Sequence, residues 1–278
     1  MRHDMPGKLG QFMRNPVGVS SAAFILFLIL VGAFGPSLYG VSPSELSMET
    51  SSAPGDKAPL GTDDLGRDVL AGLMAGVKVS LFVGIAAAIA ATVLGVVIGA
   101  LAGYLRGWFD MVVMRIAEFF QVMPTFILSV LIVSLLGPGL VRIVIVIALL
   151  SWPQTARVAR GEVLRVSQLE FVDSARCLGM SPWRILFGEV IPNAVAPALA
   201  LSTLIMAHAI LLEASLSFLG LSTPDVVSWG RMLSIGQHFL FTAWWLSVFP
   251  GLAIFLTVLS FNLLGDALGE VLNPRRAR

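Results

Sequence analysis

Four ionisable side chains lie inside long apolar stretches of this sequence, and they are the first candidates for chemistry. Arg115 and Glu118 are three residues apart, so a helix places them on one face. We expect them to pair, because an isolated charge at membrane depth is costly, and structural pairing is preferred over a transport role. His208 and Glu213 lie in a later apolar run. Glu213 either lines a pathway or anchors the turn at 217–220 by hydrogen bonds.

These side chains do not form a metal-binding or catalytic pattern. His208 with the nearby Met206 supplies only two soft ligands, so packing is the better interpretation and no metal site is expected. No nucleophile stands beside a base, so we expect no catalytic residue and no enzyme. A nucleotide-binding loop ends in Gly-Lys-Ser/Thr, and none of the three lysines fits that pattern. We therefore expect no cofactor on this chain.

The composition is that of an integral membrane protein. The 278 residues are 56% hydrophobic and only 13% charged, with a mean hydropathy of +0.88, which is far from the composition of a water-soluble domain. The single cysteine, Cys177, excludes a disulfide framework within the chain. The basic residues are dispersed, and the net charge of +1 gives no indication of nucleic acid as a partner.

Apolar runs of about 20 residues predict an all-α polytopic membrane protein with six transmembrane helices. The first run is too long for a signal peptide, so we read it as an uncleaved helix. The fourth is short unless the helix continues past Pro153 as a projection from the membrane. The predicted spans are 17–39, 79–105, 111–136, 140–152, 194–219 and 244–268. The predicted segments are 1–16 at the N-terminus, an external loop at 40–77, a five-helix core at 78–268 that includes a loop at 165–193, and a basic tail at 269–278.

The distribution of lysine and arginine predicts the orientation. Cytoplasmic loops carry an excess of both residues, which places the two termini and the 165–193 loop in the cytoplasm. The predicted cytoplasmic set is Arg2, Lys8, Arg14, Arg106, Arg157, Arg160, Arg165, Arg176, Arg184, Arg275, Arg276 and Arg278. The predicted external set is Lys57, Arg67, Lys78, Arg142 and Arg231.

The polar stretch 170–193 predicts two short helices joined by a bend. Gly179 offers a helix stop, and Ser181 followed by Pro182 is typical of a helix start. The second helix is expected to end near Pro192, where the chain returns to an apolar run. Such a helix pair with small residues at its tip can enter a groove on a partner, although an interfacial amphipathic helix is the alternative.

Two further stretches have features that bear on function. In the sequence LGTDDLGRDV at 60–69, Asp63, Asp64 and Asp68 can accept backbone hydrogen bonds or pair with Arg67, and a self-capped loop and a contact with an external partner are equally good interpretations. The spacing does not fit a calcium-binding EF-hand.

In the second span three glycines four residues apart, Gly95, Gly99 and Gly103, predict a flat face for close packing against a neighbouring helix or a dimer partner.

The 170–193 stretch resembles the "EAA" loop of ATP-binding-cassette importer permeases. The family pattern is Glu-Ala-Ala, three residues, Gly, and later Ile-x-Leu-Pro; it is matched here by Asp173, Ser174, Ala175, Gly179, Ile191 and Pro192. Asp replaces Glu, Ser replaces the first Ala, and Glu189 stands at the position of the pattern's Ile. The stretches LGTDDLGRDV, EASLSFLGLS, SWGRML and FNLLGDAL, with Arg-Asn-Pro before the first span, are similar to the C-type permease subunit of the dipeptide, oligopeptide and nickel branch.

This resemblance implies a type I importer permease fold and a multi-pass protein of the bacterial inner membrane. It implies that the loop is a coupling helix docked into an ATPase subunit. The implied partners are a second homologous permease, two ATP-binding subunits that hold ATP and Mg, an extracytoplasmic solute-binding protein and the lipid bilayer. Short peptides are the expected cargo, with nickel or another peptide-like solute as the alternative. The rival classes are an ATP-independent secondary transporter and a membrane-embedded enzyme; we find neither an internal repeat nor a charge relay that favours them.

Overall fold

The computed structural model describes residues 8–223 and 225–272, and most of these are helical. Arg2 of the N-terminal segment and Arg275, Arg276 and Arg278 of the predicted basic tail lie outside the described residues. In the described part of the chain, β-structure is limited to one isolated bridge between Thr62 and Asp68. The α-helices in chain order are α1 Lys8–Met13, α2 Pro16–Tyr39, α3 Val69–Leu105, α4 Gly107–Val122, α5 Thr125–Leu136, α6 Leu140–Val166, α7 Glu170–Cys177, α8 Pro182–Ile185, α9 Ile191–Ala194, α10 Ala196–Phe218, α11 Trp229–Gly236 and α12 Trp245–Leu272.

Five of these helices, namely α2, α3, α6, α10 and α12, are long and apolar enough to cross a membrane. A sixth span results if α4 and α5 are counted together, although they meet at an angle of 92°. The expected all-helical, polytopic architecture is therefore confirmed, with the third span formed by a bent pair. The bend follows from Pro124, because proline cannot donate the backbone hydrogen bond that would continue α4 into α5.

Three predicted boundaries change in the structure. The second span begins at Val69 and not at 79, because Asp68 caps the helix by accepting a hydrogen bond from the Ala71 backbone N–H at 2.9 Å. Residues 69–77, placed in the external loop by the sequence, are therefore helical. The predicted single helix at 111–136 is broken at Met123 and Pro124. The helix that begins at Leu140 does continue past Pro153, as expected for a projection, and ends at Val166.

The glycine face of α3 packs against α6 of the same chain. A Cβ atom added to Gly95 would lie 2.4 Å from the Thr155 Cβ, and one added to Gly99 would lie 2.2 Å from the Ala156 carbonyl oxygen. These distances leave no room for a side chain, so the glycines permit the two backbones to approach closely. The sequence left open whether this flat face packs against a neighbouring helix or a dimer partner. The structure shows the neighbouring helix, α6.

Both ends of the bundle are closed by contacts between distant parts of the chain. At one end the Asn15 side-chain amide donates a hydrogen bond of 3.3 Å to Glu270, which joins the start of α2 to the end of α12. At the opposite end the Trp245 indole N–H donates to the Thr62 carbonyl at 3.2 Å, which holds the 40–68 segment against the start of α12. The loop that contains α7 and α8 therefore extends from the bundle at the end that carries Asn15, and the 40–68 segment covers the other end.

Candidate functional site

The loop between α6 and α10 is a folded helical hairpin, as the sequence predicts. The acidic Glu170 lies in the first turn of α7 and Arg176 in its last turn, which suits the helix dipole. Gly179 adopts a left-handed backbone with φ of +75° and ends this helix. The Ser181 hydroxyl accepts a hydrogen bond of 3.4 Å from the Arg184 backbone N–H, and Pro182 occupies the first turn of α8.

The inner side of this hairpin has its own apolar core. Val172 and Ala175 from α7 pack against Ile185 of α8, and all three are buried. The same cluster contains Ala100 of α3 and Val163 of α6. The loop is therefore joined to two long helices by close packing, and a force applied to it reaches the bundle without an intervening flexible linker.

The outer side of the hairpin exposes large apolar side chains. Leu178 at the bend is 81% exposed, and Trp183 and Phe187 on the second arm are 54% and 57% exposed. The two aromatic rings stack with their centroids 6.3 Å apart and an angle of 24° between their planes. Aromatic side chains held in this way are typical anchors of a protein interface.

Among the residues matched to the family pattern, the structure separates the exposed from the buried ones. Asp173, Ser174, Gly179 and Pro192 are exposed, whereas Ala175 is buried in the hairpin core. The idea of a tip made of small residues is therefore wrong for Ala175. Its small size instead lets α7 approach α8 and α6 closely.

The second arm does not end at Pro192, contrary to the expectation from the sequence. Residues 186–190 form a π-helical turn, in which the Ile191 backbone N–H donates to the Leu186 carbonyl. The helix then continues through α9 into α10, interrupted by the single residue Val195. The wider turn accommodates a residue that lacks a backbone N–H. The Asn193 side-chain amide donates to the Glu189 carbonyl at 2.7 Å and satisfies an acceptor freed by this arrangement. Ile191 is half-buried beside the hairpin core.

One ion pair ties the exposed side of α7 to the rest of the chain. The Arg176 guanidinium donates to the Asp173 carboxylate at 2.7 Å and to the Ser167 carbonyl at 3.3 Å. Asp173 thus lies on the outer surface of α7, next to Ser174 and paired with Arg176. Leu178, Trp183 and Phe187 were missed by motif matching; the four-residue spacing of the two aromatic residues was a usable signal, because it places them on one helical face.

The charged residues singled out in the apolar stretches lie in separate places. Arg115 donates to Glu118 at 2.9 Å, so the expected pair forms, and both side chains are largely exposed. His208 is exposed and lines a cavity beside α6, whereas Met206 packs into the helical core on another face of α10. These two residues therefore do not share a site.

Glu213 is completely buried in α10. The Ser217 hydroxyl donates a hydrogen bond of 2.6 Å to its carboxylate, one helical turn further along. Of the two roles considered, this geometry supports the anchor for the turn at the end of α10. The carboxylate has no exposed surface in this chain through which to meet a passing solute.

The acidic side chains at 63–68 are used mainly for local hydrogen bonds. Asp63 accepts from the backbone N–H groups of Leu65 and Arg67, at 2.9 and 2.8 Å, and from the Arg67 side chain at 2.8 Å. Asp68 caps α3 and also accepts from the Tyr39 hydroxyl at 2.8 Å. Asp64 is half-exposed and has one buried carboxylate oxygen without a hydrogen-bond partner among the described residues. This geometry supports the self-capped interpretation of the loop.

The comparison with known families identifies the architecture. Residues 95–278 match the family described as "Binding-protein-dependent transport system inner membrane component". This chain belongs to that family. The matched region contains the helical hairpin and every span from the second half of α3 onward.

Individual relatives agree with this assignment over almost the whole chain. The permease is 35% identical to the glutathione transport system permease protein GsiD of Pectobacterium atrosepticum, over 95% of this chain and 89% of the relative. It is 36% identical to the dipeptide transport system permease protein DppC of Alkalihalophilus pseudofirmus, over 95% and 88%. A solved structure, the inward-facing MetNI methionine ABC transporter, has the same fold with a TM-score of 0.59 and 18% identity, covering 72% of this chain and 96% of the matched one.

These findings establish the class of the protein. It is a multi-pass inner-membrane permease component of a binding-protein-dependent ATP-binding-cassette importer, with ATPase and permease subunits as partners. The permease is the non-catalytic part of that machinery, since ATP hydrolysis belongs to a separate subunit. The alternatives of an ATP-independent transporter and a membrane-embedded enzyme are not favoured.

Proposed function

We propose that the α7–α8 hairpin is the coupling element of the permease, and that its outer face docks into a groove on an ATPase subunit. The observation that carries this proposal is the cluster of exposed Leu178, Trp183 and Phe187 on a hairpin whose inner side is packed against α3 and α6. An exposed apolar face on a rigid support is suited to a protein groove, and the fixed Asp173–Arg176 pair beside it adds directional polar contacts.

The orientation proposed for the permease has this hairpin and both termini in the cytoplasm. Arg165, Arg176 and Arg184 lie in or next to the hairpin, in agreement with the positive-inside rule. The opposite end, with the 40–68 segment and α11, then faces the extracytoplasmic solute-binding protein. A cavity of about 400 Å³ between that segment and α11 contains charged groups of both signs, including Asp63, Arg67 and Arg231.

The proposed assembly contains this permease, a second homologous permease, two ATP-binding subunits and the binding protein. ATP and Mg are bound by the ATP-binding subunits. Closure of those subunits moves the hairpins, and the two permeases change between outward-open and inward-open states around a shared pathway. The close α3–α6 packing makes these two helices the elements that move with the hairpin.

The proposed cargo is a short peptide. The two relatives described above are named as permeases for glutathione and for dipeptides. A third, from Pseudomonas aeruginosa, is named as a di/tripeptide permease and is 35% identical over 95% of this chain. Glutathione is itself a tripeptide, so all three names share one chemical class.

The test is ATP hydrolysis by the complete complex reconstituted in lipid with its binding protein. A mixed pool of di- and oligopeptides is expected to stimulate hydrolysis, and nickel ions are expected to have no effect. Stimulation by nickel alone would replace the proposed cargo while leaving the importer intact. Absence of any stimulation in a complex that binds its ATPase subunits would contradict the peptide proposal.

A matched pair of variants tests the docking face in the same preparation. Leu178→Glu is expected to release the ATPase subunits or to remove stimulation, because a charge would replace an apolar anchor at the interface. Met48→Glu is the control, since Met48 is a fully exposed apolar side chain at the opposite end of the bundle. Equal ATPase retention and equal stimulation in both variants would contradict the docking proposal.

A further inference from the structure

A polar cavity lies in the membrane-spanning part of the permease, away from the hairpin surface. It has a volume of about 380 Å³ and opens between the α4–α5 bend, α6 and α10. Its polar lining consists of Gln121 and Thr125 at the bend, Ser151, Gln154 and Arg157 on α6, and His208 on α10. None of the described residues that line it is acidic. The cavity therefore presents hydrogen-bonding groups and positive charge without an internal counter-charge.

Arg157 differs from the other arginines of α6 in having no partner among the residues that the structure describes. Arg160, one turn further along, makes two hydrogen bonds to the Asp110 carboxylate, at 2.5 and 2.6 Å. Arg165 donates to Glu162 at 2.8 Å and Arg142 to the Pro138 carbonyl at 2.9 Å. For Arg157 the described residues provide neither a hydrogen bond nor an ion pair, and its side chain is exposed to the cavity.

The other long polar side chains of the cavity also lack a hydrogen-bond partner among the described residues. Gln121, Gln154 and His208 are exposed, and the described part of the chain gives their side chains no hydrogen-bond partner. Together with Arg157 these three side chains come from three helices, α4, α6 and α10, and converge on one space. Polar groups in this position require water or a bound solute as partner, because hydrocarbon offers none.

Arg157 lies on the part of α6 beyond Pro153, on the side of the helix end that carries the hairpin. It lies seventeen residues after Leu140 and nine before Val166, or about 26 Å and about 14 Å at 1.5 Å per residue. An exposed guanidinium without an ion-pair partner at the end of a membrane span normally faces a water-filled space or pathway. Among the described residues no acidic side chain pairs with Arg157, which leaves its charge available to a bound solute or to another subunit.

We propose that Arg157, supported by Gln121, Gln154 and His208, forms a half-site in the translocation pathway that binds the carboxylate group of the cargo. This inference rests on the proposed import of peptides. A free peptide carries a terminal carboxylate, which the planar guanidinium can bind through two parallel hydrogen bonds. The glutamine amides add neutral donors, and the cavity volume falls in the range of small-molecule sites. A metal cation is the wrong cargo for this half-site, since Arg157 would repel it.

The first test measures the electrostatics of the cavity without any cargo. Gln154→Cys is introduced with Cys177→Ser, and the reconstituted ATP-free complex is treated with two methanethiosulfonate reagents, anionic sulfonatoethyl and cationic trimethylammonioethyl. We expect the anionic reagent to react about tenfold faster than the cationic one, relative to their rates with a free thiol, and Arg157→Gln to remove the preference. Arg157→Lys keeps the charge and is expected to keep the preference.

An exposed apolar position outside the cavity provides the control for this labelling. Leu149→Cys lies on the same helix, is exposed, and does not line the cavity. It is expected to react at least about tenfold more slowly with both reagents. Slow labelling of Gln154→Cys, or a charge preference that survives Arg157→Gln, would overturn the half-site.

The second test asks whether the carboxylate of the cargo is recognised. Uptake of alanyl-alanine and of its C-terminal amide is measured in proteoliposomes with the complete complex. Arg157→Gln is expected to reduce uptake of the free peptide about tenfold or more and to change uptake of the amide less than about twofold. Arg160→Gln is the control; loss of a structural pair is expected to affect both peptides alike.

The two tests separate the failure of this inference from that of the proposed function. If the wild-type complex imports neither peptide, the peptide cargo is wrong, while the labelling result still decides whether the cavity attracts anions. If Arg157→Gln reduces uptake of both peptides equally, the arginine is paired with an acidic residue of the other permease or with a lipid phosphate. That result would overturn its role as a cargo site.

Discussion

The α7–α8 hairpin and the 40–68 segment are both polar, acid-containing connections, but they use their side chains in opposite ways. In the 40–68 segment, Asp63 and Asp68 accept hydrogen bonds from the segment's own backbone and neighbouring side chains. In the hairpin the small and aliphatic residues form an internal core, and the aromatic ones point outward. The acids of the 40–68 segment therefore indicate local structure, whereas the stacked Trp183 and Phe187 on a packed hairpin indicate a partner at the other end of the bundle.

The largest effect is expected from a charge placed inside the hairpin. Ala175→Arg should unfold the α7–α8 core at a cost of about 3 kcal/mol or more, because the guanidinium cannot be buried there. Hydrogen exchange over 170–195 should rise sharply. Ser174→Arg, one residue earlier and exposed, is the matched control and should leave that exchange unchanged. Equal exchange in the two variants would mean that Ala175 does not support the core.

A smaller effect is expected when the 40–68 segment loses its central acceptor. Asp63→Ala removes two backbone hydrogen bonds and the pairing with Arg67, and should destabilise the segment locally by about 2 kcal/mol. Faster hydrogen exchange over 61–69 would show this loss. Asp56→Ala changes an exposed acid of the same segment and should have no such effect. If Asp63→Ala instead leaves exchange unchanged but abolishes stimulation of ATP hydrolysis by the binding protein, Asp63 is a contact residue. That result would contradict the view that the acids of the 40–68 segment serve local structure.

The bend of the hairpin should show a moderate effect that depends on backbone geometry. Gly179→Val is expected to cost about 1–2 kcal/mol, because a β-branched residue disfavours the left-handed conformation at φ of +75°. Gly188→Val is the control, since space around both glycines is open and Gly188 lacks a positive φ. ATPase activity stimulated by cargo should fall in the first variant only. Similar activity in both would indicate that the shape of the bend is unimportant for coupling.

The smallest effect on stability is expected from the exposed ion pair of the hairpin. Asp173→Asn should change the thermal stability of the complex by at most about 0.5 kcal/mol, because the Asp173 and Arg176 side chains are largely in solvent. A loss of ATPase association without a loss of stability would identify Asp173 as a docking contact and would support the hairpin as the partner-binding region. A clear drop in melting temperature would show that the pair holds the hairpin together.

Local patterns in the sequence were sufficient for most of the helices and for the hairpin. The apolar runs located α2, α10 and α12 to within a few residues, and Gly179 with Ser181 located the bend. The break at Pro124 was missed because hydropathy averaged over this mostly apolar stretch does not register one turn of lost hydrogen bonding. The start of α3 was missed because the cap at Asp68 lies inside a stretch of turn residues.

The site could be predicted only where neighbours in the sequence are also neighbours in space. Arg115 and Glu118 pair across one turn, as their spacing indicates. Arg157 and Arg160 look alike in the sequence, yet only Arg160 is neutralised, by Asp110 fifty residues earlier. The spacing of Trp183 and Phe187 places them on one helical face, but whether that face meets the core or the solvent is a property of the tertiary structure.

Site-specific cross-linking tests the central claim most directly. A photo-reactive amino acid is placed at Leu178 in one version of the permease and at Met48 in another, and the complete complex is irradiated in lipid. The account predicts that Leu178 links to an ATPase subunit and that Met48 does not. A link from Met48 to the ATPase, or from Leu178 to the binding protein, would contradict both the coupling role of the hairpin and the proposed orientation.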